Sequence, residues 1–239
     1  GIPVFHDDQH GTAIVLMAAL INATKVVEKD LTSLRIVING AGAAGIAIAK
    51  FVSRTGFESY SDQAAEDVIV CDSKGIISKD RSDLNPMKKK LLSYSNKEDR
   101  KGSLSDALVD ADVFIGVSKG NVVAPEDIRR MAKDPIIFAM ANPTPEIMPE
   151  DALSAGAKVI GTGRSDFPNQ VNNVLVFPGI FRGALDGRAK TINNRMKIAA
   201  SEALAACVDT PTPDQILPHP LDRTVAPAIA KMVRAASRY

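Results

Sequence analysis

The sequence feature that most constrains the fold is a glycine-rich turn between a strand and a helix. The strand is predicted over residues 34–39, a short and mostly apolar segment, and the helix over residues 43–54, which are rich in small side chains. The turn has glycine at its first, third and sixth positions: Gly40-Ala41-Gly42-Ala43-Ala44-Gly45. The first glycine permits the sharp turn, the second lets the backbone approach a pyrophosphate, and the third lets the helix pack on the strand. A turn without a ligand is the alternative, but the flanking strand and helix favour dinucleotide binding.

The rest of the chain repeats the alternation of short apolar strands and longer helices. Further strands are predicted at residues 68–71, 112–116, 136–140 and 158–160, and further helices at residues 11–29, 125–133, 191–208 and 221–237. Near-continuous apolar strands separated by helices indicate a parallel sheet covered on both faces. Because crossover connections are right-handed, we predict an α/β fold with a doubly wound Rossmann-type parallel sheet and flanking helices.

Composition and charge exclude several classes of protein. The 239 residues carry 29 Lys+Arg and 28 Asp+Glu, a net charge of +1 that gives no excess of cations for binding nucleic acid. The longest wholly apolar run has nine residues, whereas a membrane span needs about 20. We therefore expect neither a nucleic-acid nor a membrane partner. Only two cysteines are present, which predicts a reducing cytoplasm rather than a disulfide scaffold.

The end of the second predicted strand carries candidate ribose-binding residues. Asp72 lies 27 residues after Gly45, later than the usual spacing of about 20, and the polar segment 57–67 accounts for the excess. Its carboxylate would accept hydrogen bonds from a ribose diol, as in NAD, although a solvated strand-end carboxylate is the alternative. Ser73 and Lys74 follow directly and could hold a 2′-phosphate, so this turn slightly favours NADP over NAD. Val117 and Ser118 end the third strand and are expected beside the cofactor.

A polar cluster precedes the first predicted helix. Asp7 and Asp8 are adjacent carboxylates at the helix start, where they could serve simply as capping groups. His6 and His10 are four residues apart and could bind zinc, but Gly11 and the lack of a glutamate beside His6 argue against a zinc-protease helix. The carboxylates could instead bind Mg²⁺ or Mn²⁺.

Several long motifs together resemble those of bacterial malic enzymes. The first is Ile2-Pro3-Val4-Phe5-His6-Asp7-Asp8-Gln9-His10-Gly11-Thr12-Ala13, and the glycine-rich turn and Cys71-Asp72-Ser73-Lys74-Gly75 follow in order. Two further matches are Ala141-Asn142-Pro143-Thr144-Pro145-Glu146-Ile147 and Gln170-Val171-Asn172-Asn173-Val174-Leu175-Val176-Phe177-Pro178-Gly179. The resemblance covers nearly the whole chain. It implies one NAD(P)-binding domain over residues 1–239, with a proline-rich connector at 209–220 leading to the C-terminal helix.

The resemblance also implies an activity and a role for each site residue. The activity is oxidative decarboxylation of L-malate to pyruvate and CO₂, with NAD(P) and Mg²⁺ or Mn²⁺ as cofactors. By the match, Asp8 is a metal ligand and Asp7 orients the catalytic lysine. Asn142 reaches substrate or nicotinamide, and Asn172 and Asn173 meet the nicotinamide amide and the substrate carboxylate. Without the family, Asn142 would be an Asn-Pro turn and the other two an ordinary polar loop.

Part of the family's catalytic machinery is not expected within these residues. In the family, a catalytic tyrosine, the lysine and two acidic metal ligands precede the Phe5 motif, and Tyr60, Tyr94 and Tyr239 lie elsewhere. We therefore expect an inactive part of a homo-oligomeric enzyme without its N-terminal catalytic part. The first predicted helix should expose an apolar face that this part covers. A non-catalytic dinucleotide-binding domain with a regulatory or assembly role is the alternative. A different dehydrogenase domain is less favoured, because its reaction would not need the Asp7-Asp8 pair.

Overall fold

A six-stranded sheet forms the centre of the computed structural model, which describes residues 2–238 apart from the side chains of residues 58, 59 and 61. The strands are β1 (Arg35–Asn39), β2 (Asp67–Asp72), β3 (Gly75–Ile76), β4 (Val113–Gly116), β5 (Ile136–Ala139) and β6 (Val159–Thr162). Their order across the sheet is β3-β2-β1-β4-β5-β6. All neighbouring strands are parallel except β3, a two-residue antiparallel strand beside β2 that sequence analysis did not predict. The predicted Rossmann-type fold is confirmed.

Helices cover both faces of the sheet. They are α1 (Thr12–Val27), α2 (Ala43–Val52), α3 (Pro86–Leu91), α4 (Leu104–Leu108), α5 (Pro125–Arg129), α6 (Pro149–Ser154), α7 (Phe177–Asp186), α8 (Asn194–Ala205) and α9 (Val225–Ala236). One face packs on α4, α5 and α6, and the other packs on α1 and α2, with the C-terminal helices behind them. Val37 of β1 points to the first face, whereas Ile36 and Ile38 point to the second, as the twofold period of a strand requires.

The predicted helices exist but are shorter than predicted, and local backbone chemistry explains where they end. A five-residue π-helical turn, Asp7–Gly11, leads directly into α1, which stops at Glu28 in the left-handed conformation (φ 53°). The side chain of Asn193 caps α8 by accepting a hydrogen bond from the backbone of Met196 at 3.0 Å, so α8 starts at Asn194. In each case the predicted helix extended past the residue at which the backbone hydrogen bonding changes.

The expectation that α1 exposes an apolar face is wrong. From Ala13 to Leu20 every side chain is at most 3% exposed, because α1 lies between the sheet and α8. The amide of Asn22 donates to the backbone oxygens of Ala205 (2.9 Å) and Ile216 (3.0 Å). Residues of this chain therefore cover the apolar side chains of α1 from Ala13 to Leu20. A helix that is apolar on all sides is one that is buried on all sides.

The proline-rich segment 209–220 is packed on the domain. Ile216 is fully buried and Leu217 is 5% exposed. Asn169 donates to the carbonyl oxygen of Pro213 (2.7 Å) and accepts from the backbone N–H of Ile216 (2.9 Å). The segment thus adds to the core on its way to α9.

Candidate functional site

The glycine-rich turn has a different steric reason for each of its three glycines. Gly40 adopts φ +129°, and a Cβ there would lie 2.8 Å from the carbonyl oxygen of Val117 at the end of β4. A Cβ on Gly45 would overlap the carbonyl oxygen of Gly40, so the first turn of α2 can approach β1 only with glycine there. A Cβ on Gly42 would meet nothing within 4 Å. Gly42 therefore leaves its face open, and this is where a pyrophosphate would approach the backbone.

A cleft of about 790 Å³ opens at this turn, along the carboxyl ends of β1, β2 and β4. Its lining includes eight of the predicted cofactor-binding residues: Gly40, Ala41, Gly42, Asp72, Ser73, Lys74, Val117 and Ser118. Asn39, at the end of β1, donates to the Ser118 hydroxyl across the cleft at 2.9 Å. Gly45 is buried beneath the cleft, and Ala43 faces a second cavity on the other side of α2. The cleft is the crevice in which open α/β sheets bind their ligands, and its volume suits a cofactor.

Two cations, Arg81 and Lys88, hold the carboxylate of Asp72 in place. Arg81 donates to both carboxylate oxygens of Asp72 (2.8 and 3.1 Å), and Lys88 donates to one of them (2.6 Å). Burial disfavours the charged carboxylate, but these bonds and one from the backbone of Lys74 outweigh it and lower the pKa of Asp72 to about 2. The Lys74 ammonium pairs with Asp83 at 2.9 Å. Lys88 also lines the cleft.

Glu146 is a further residue to which sequence analysis assigned no role. It is fully buried, and its carboxylate accepts hydrogen bonds from the backbone of Ser118 (3.2 Å) and Ala141 (3.0 Å). Burial raises the pKa of Glu146, and these backbone donors oppose the rise. The side chain fits because Gly116 has no Cβ, which would overlap it. Glu146 therefore ties the loops after β4 and β5 together. Its place within the Asn142 motif was a signal that could have identified it.

Asp7 and Asn173 come together although 166 residues separate them in the chain. The Asn173 amide donates to Oδ2 of Asp7 at 2.7 Å, while the buried Oδ1 of Asp7 has no hydrogen-bond partner among the described residues. Burial and the neighbouring charge of Asp8 raise the pKa of Asp7, with His6 opposing them. Asp8 is exposed on the same π-helical turn. A buried carboxylate oxygen without a partner fits a site that receives a further donor or cation.

The other two predicted asparagines lie on the loops that follow β5 and β6. Asn142 is exposed two residues beyond Met140, and it is not among the residues that line the dinucleotide cleft. Asn172 accepts a hydrogen bond from the backbone of Val174 at 3.0 Å and so starts a short 3₁₀ turn, Asn173–Leu175. This turn presents Asn173 to Asp7. The predicted residues therefore form two groups, one in the dinucleotide cleft and one around Asp7.

The described residues do not complete a metal site. Nowhere in residues 2–238, as far as they are described, do three His, Cys, Asp or Glu side chains converge as metal ligands. This also applies to zinc at His6 and His10. Asp8 alone does not fit Mg²⁺ or Mn²⁺, which take about six oxygen ligands. Tyr60 and Tyr94 pack against the hydrophobic core, and Tyr239 lies outside the described residues.

The fold and the glycine-rich turn define a Rossmann-type dinucleotide-binding domain. The family model described as "Malic enzyme, NAD binding domain" matches residues 9–237. The chain therefore belongs to the malic enzyme family. It is 57% identical, over 99% of its length, to the bifunctional malic/malolactic enzyme of Bacillus subtilis. It is 52% identical over 87% of its length to an NAD-dependent malic enzyme of Geobacillus stearothermophilus, and 50% identical over 90% of its length to an NADP-dependent malic enzyme of Rhizobium meliloti.

Solved structures give the same family and show that the relatives are longer. The chain superimposes on the NAD-dependent malic enzyme of Thermotoga maritima with a TM-score of 0.90 and 44% identity, covering 98% of this chain and 60% of that one. The superposition on the malic enzyme of Pyrococcus horikoshii has a TM-score of 0.91 and 43% sequence identity. It covers 99% of this chain and 55% of that one. The chain spans 56% of the Bacillus protein, 41% of the Geobacillus protein and 27% of the Rhizobium protein. No helix among the described residues has the length and apolarity that crossing a membrane requires.

Proposed function

We propose that this chain is the NAD(P)-binding domain of an enzyme that converts L-malate to pyruvate and CO₂ with reduction of NAD(P). The observation that carries the proposal is the open face of Gly42 at the head of the 790 Å³ cleft. Asp7 and Asn173 form a second polar group from the malic enzyme motifs. A bound dinucleotide would supply the hydride acceptor. Everything else assigned to this chain is binding and positioning by its own residues.

The roles of these residues follow from their positions. Residues 40–45 would hold the pyrophosphate on backbone N–H groups at the start of α2. Asp72, Ser73 and Lys74 would hold the adenosine ribose, and Val117 and Ser118 would lie along the cofactor. Asn142 and Asn172 would orient the nicotinamide, because an amide offers both donors and acceptors. Asn142 and Asn173 would bind the malate carboxylate.

The acidic turn would complete the active site together with a part of the protein outside these residues. Asp7 would orient the catalytic lysine, since its buried Oδ1 is unpartnered and can accept from an ammonium group. Asp8 would contribute one carboxylate to a Mg²⁺ or Mn²⁺ site whose other protein ligands come from the N-terminal catalytic part. We further propose that the enzyme is cytoplasmic and homo-oligomeric. The two free thiols, Cys71 and Cys207, are consistent with a reducing compartment.

The proposed cofactor preference is NADP. Lys74, Arg81 and Lys88 together with Asp72 and Asp83 leave one net positive charge at the ribose end of the cleft. The negative charge of a 2′-phosphate beside Ser73 would neutralise this net positive charge. A neutral ribose diol could not do so, and the network therefore favours the phosphate. Relatives of both preferences match the chain. The Lys74→Ala variant should therefore lower the NADP⁺/NAD⁺ affinity ratio, and an unchanged ratio would remove Lys74 from phosphate recognition.

The proposed activity is tested by adding malate, Mn²⁺ and either cofactor to the full-length protein and following the absorbance of the reduced nicotinamide. Turnover with formation of pyruvate and CO₂ is expected. Calorimetric titration with NAD⁺ and NADP⁺, with and without Mn²⁺, measures binding separately. Dinucleotide binding without turnover of malate would favour the alternative, a domain that binds the dinucleotide for regulation or assembly.

A further inference from the structure

A second cavity lies on the opposite side of α2 from the dinucleotide cleft, with a volume of about 490 Å³. Gly42 lines the first cleft, whereas Ala43, Ile46 and Lys50 line this one. Helix α3 contributes a different lysine to each cavity: Lys88 lines the first and Lys90 lines the second. A ligand in this cavity would therefore not occupy the dinucleotide cleft.

Uncompensated positive charge surrounds the cavity. Lys50, Lys90 and Lys197 line it together with His10, and the described lining contains no Asp or Glu. None of the three ammonium groups forms an ion pair with a carboxylate that the structure describes. The cavity lies at the start of α8, whose N-terminal dipole adds further positive charge. Such a concentration of cations without anions is unfavourable for folding unless a ligand supplies the missing charge.

Burial, and then the neighbouring charge of Lys197, lower the pKa of His10 to about 4, so the positive charge of the cavity at neutral pH comes from its lysines. Burial, and then the neighbouring charge of Lys50, lower the pKa of Lys197. Both effects disfavour the ammonium form in the empty pocket, and a bound anion would relieve both. Perturbed cations that face a cavity cluster at functional sites.

The remaining wall of the cavity is apolar. Phe51 and Phe57 meet edge to face with centroids 5.1 Å apart, and Ile46 and Met87 lie beside them. The side-chain amides of Gln9 and Asn194 complete the lining. The surface thus offers ammonium groups for an anionic end and an apolar wall for an organic body, which is the composition of a small-molecule site.

We propose that this cavity, the lysine pocket of Lys50, Lys90, Lys197 and His10, binds an organic phosphate whose apolar body packs on the exposed side chain of Met87 and on the parts of Phe51 and Phe57 that face the cavity. Ammonium groups bind phosphate as point charges, and a dianion would neutralise most of the cluster. The site is independent of the proposed malate chemistry. The cavity shares no lining residue with the dinucleotide cleft. Of the Asp7–Gly11 turn only Gln9 and His10 line it, and of the predicted pyrophosphate residues only Ala43.

The test is calorimetric titration of the full-length protein with phenyl phosphate, while excess NADP⁺ occupies the dinucleotide cleft. Inorganic phosphate and phenol serve as the charged and apolar halves of the probe. We expect phenyl phosphate to bind more tightly than either half. The double variant Lys50→Gln/Lys197→Gln should weaken its binding at least tenfold. Lys158→Gln is the matched control, because Lys158 is exposed and does not line this cavity. It should bind as the parent does.

Thermal unfolding provides a readout that does not depend on the ligand. If the pocket is a site for an anion, the single variant Lys197→Gln should unfold at the same or a higher temperature than the parent without ligand, since repulsion and buried charge are both removed. The proposal is overturned if phenyl phosphate does not bind, or binds equally well to the double variant. It is also overturned if Lys197→Gln unfolds at a lower temperature without ligand, because a carboxylate from the rest of the protein would then pair with Lys197.

Discussion

Gly42 and Gly45 lie in the same turn, but the space available for a side chain differs between the two positions. A Cβ at position 42 meets only open space, whereas one at position 45 overlaps the carbonyl oxygen of Gly40. Gly42→Ala should therefore leave the free energy of unfolding unchanged, while Gly45→Ala should lower it by about 1–3 kcal/mol through overpacking. Gly42→Val should instead weaken dinucleotide binding by about 1 kcal/mol or more, because its side chain enters the cleft.

Denaturant unfolding and calorimetry of the three glycine variants separate the two roles. If Gly42→Val binds the dinucleotide as tightly as the parent, the pyrophosphate does not approach position 42. If Gly45→Ala is as stable as Gly42→Ala, the close packing of α2 on β1 is not the reason for glycine at position 45.

Asp72 should make the stability of the domain depend on pH in the acid range. Its pKa in the folded protein, about 2, lies below the ordinary value of 3.8, so the folded state favours the ionised carboxylate. Its stabilisation is fully present above pH 4 and is lost as the pH falls through about 2. Asp72→Asn should lower the free energy of unfolding by about 2 kcal/mol at pH 7 and by much less at pH 2.

Urea unfolding of the parent and Asp72→Asn at several pH values measures this difference. Asp214→Asn is the control, because Asp214 is exposed and its carboxylate forms no hydrogen bond with the described residues. An equal loss of stability at pH 7 and pH 2 would mean that the ion pairs with Arg81 and Lys88 do not stabilise the fold through the charge of Asp72.

Among the elements, α7 and α9 depend on two glycines for their close contact. A Cβ on Gly179 would lie 2.6 Å from Cβ of Ile229, and one on Gly183 would lie 2.6 Å from the backbone oxygen of Ala230. Gly183→Ala gains about 1 kcal/mol in helix propensity, but we expect a net loss of about 1–3 kcal/mol because a backbone atom cannot move aside. Leu185→Ala on the same helix is the control, since Leu185 is 67% exposed and should change stability by less than about 0.5 kcal/mol. Greater stability of Gly183→Ala than of the parent, in thermal unfolding, would contradict this account of the interface.

For helices and strands, the sequence predicted the type and order of the elements better than which neighbouring elements bury them. The apolar runs that became β1, β2, β4, β5 and β6 were recognisable because parallel strands are buried on both faces. The two-residue strand β3 has too few residues to show a period. The burial of α1 was misjudged because its all-round apolarity was attributed to a missing partner, whereas α8 of the same chain supplies the cover.

For the site, the turn residues were predictable and their supporting contacts were not. Gly40, Gly42 and Gly45 occupy a short continuous motif whose steric logic is local. Arg81 and Lys88 reach Asp72 from 9 and 16 residues away, and Asn173 reaches Asp7 from 166 residues away. Such pairs are set by the fold, so no local spacing indicates them. Glu146 belongs to the same class, since it connects two loops that only the sheet brings together.

For the molecule as a whole, we predict that the 239-residue chain alone does not turn over malate. Among its described residues, the exposed carboxylate of Asp8 is the proposed metal ligand, and no three possible ligands converge on one point. Removing members of a catalytic unit is strongly non-additive, so only background rates should remain. Incubation with malate, Mn²⁺ and either cofactor measures this directly. Steady turnover at about 1 s⁻¹ or faster would place the whole active site within this chain.

In the full-length protein, Asp8→Asn should abolish most malate turnover, because it removes one proposed ligand charge from the metal. Dinucleotide binding without Mn²⁺ should be unchanged, since Asp8 does not line the cleft. The exposed Asp151→Asn serves as the control for the loss of one negative charge. Near-normal turnover of Asp8→Asn at low Mn²⁺ would exclude Asp8 from the metal site.

The central position of α1 has a consequence for the synthesis of the protein. The hydrogen bonds of Asn22 reach residues 183 and 194 positions further along the chain. At ribosomal rates of roughly 5–20 residues per second, α1 leaves the ribosome some 10–40 s before these partners exist. During that interval the apolar side chains of α1 that α8 covers lack this partner, and they remain exposed to chaperones and to aggregation. The burial of α1 is thus completed only after the segment 183 positions further along the chain has been made.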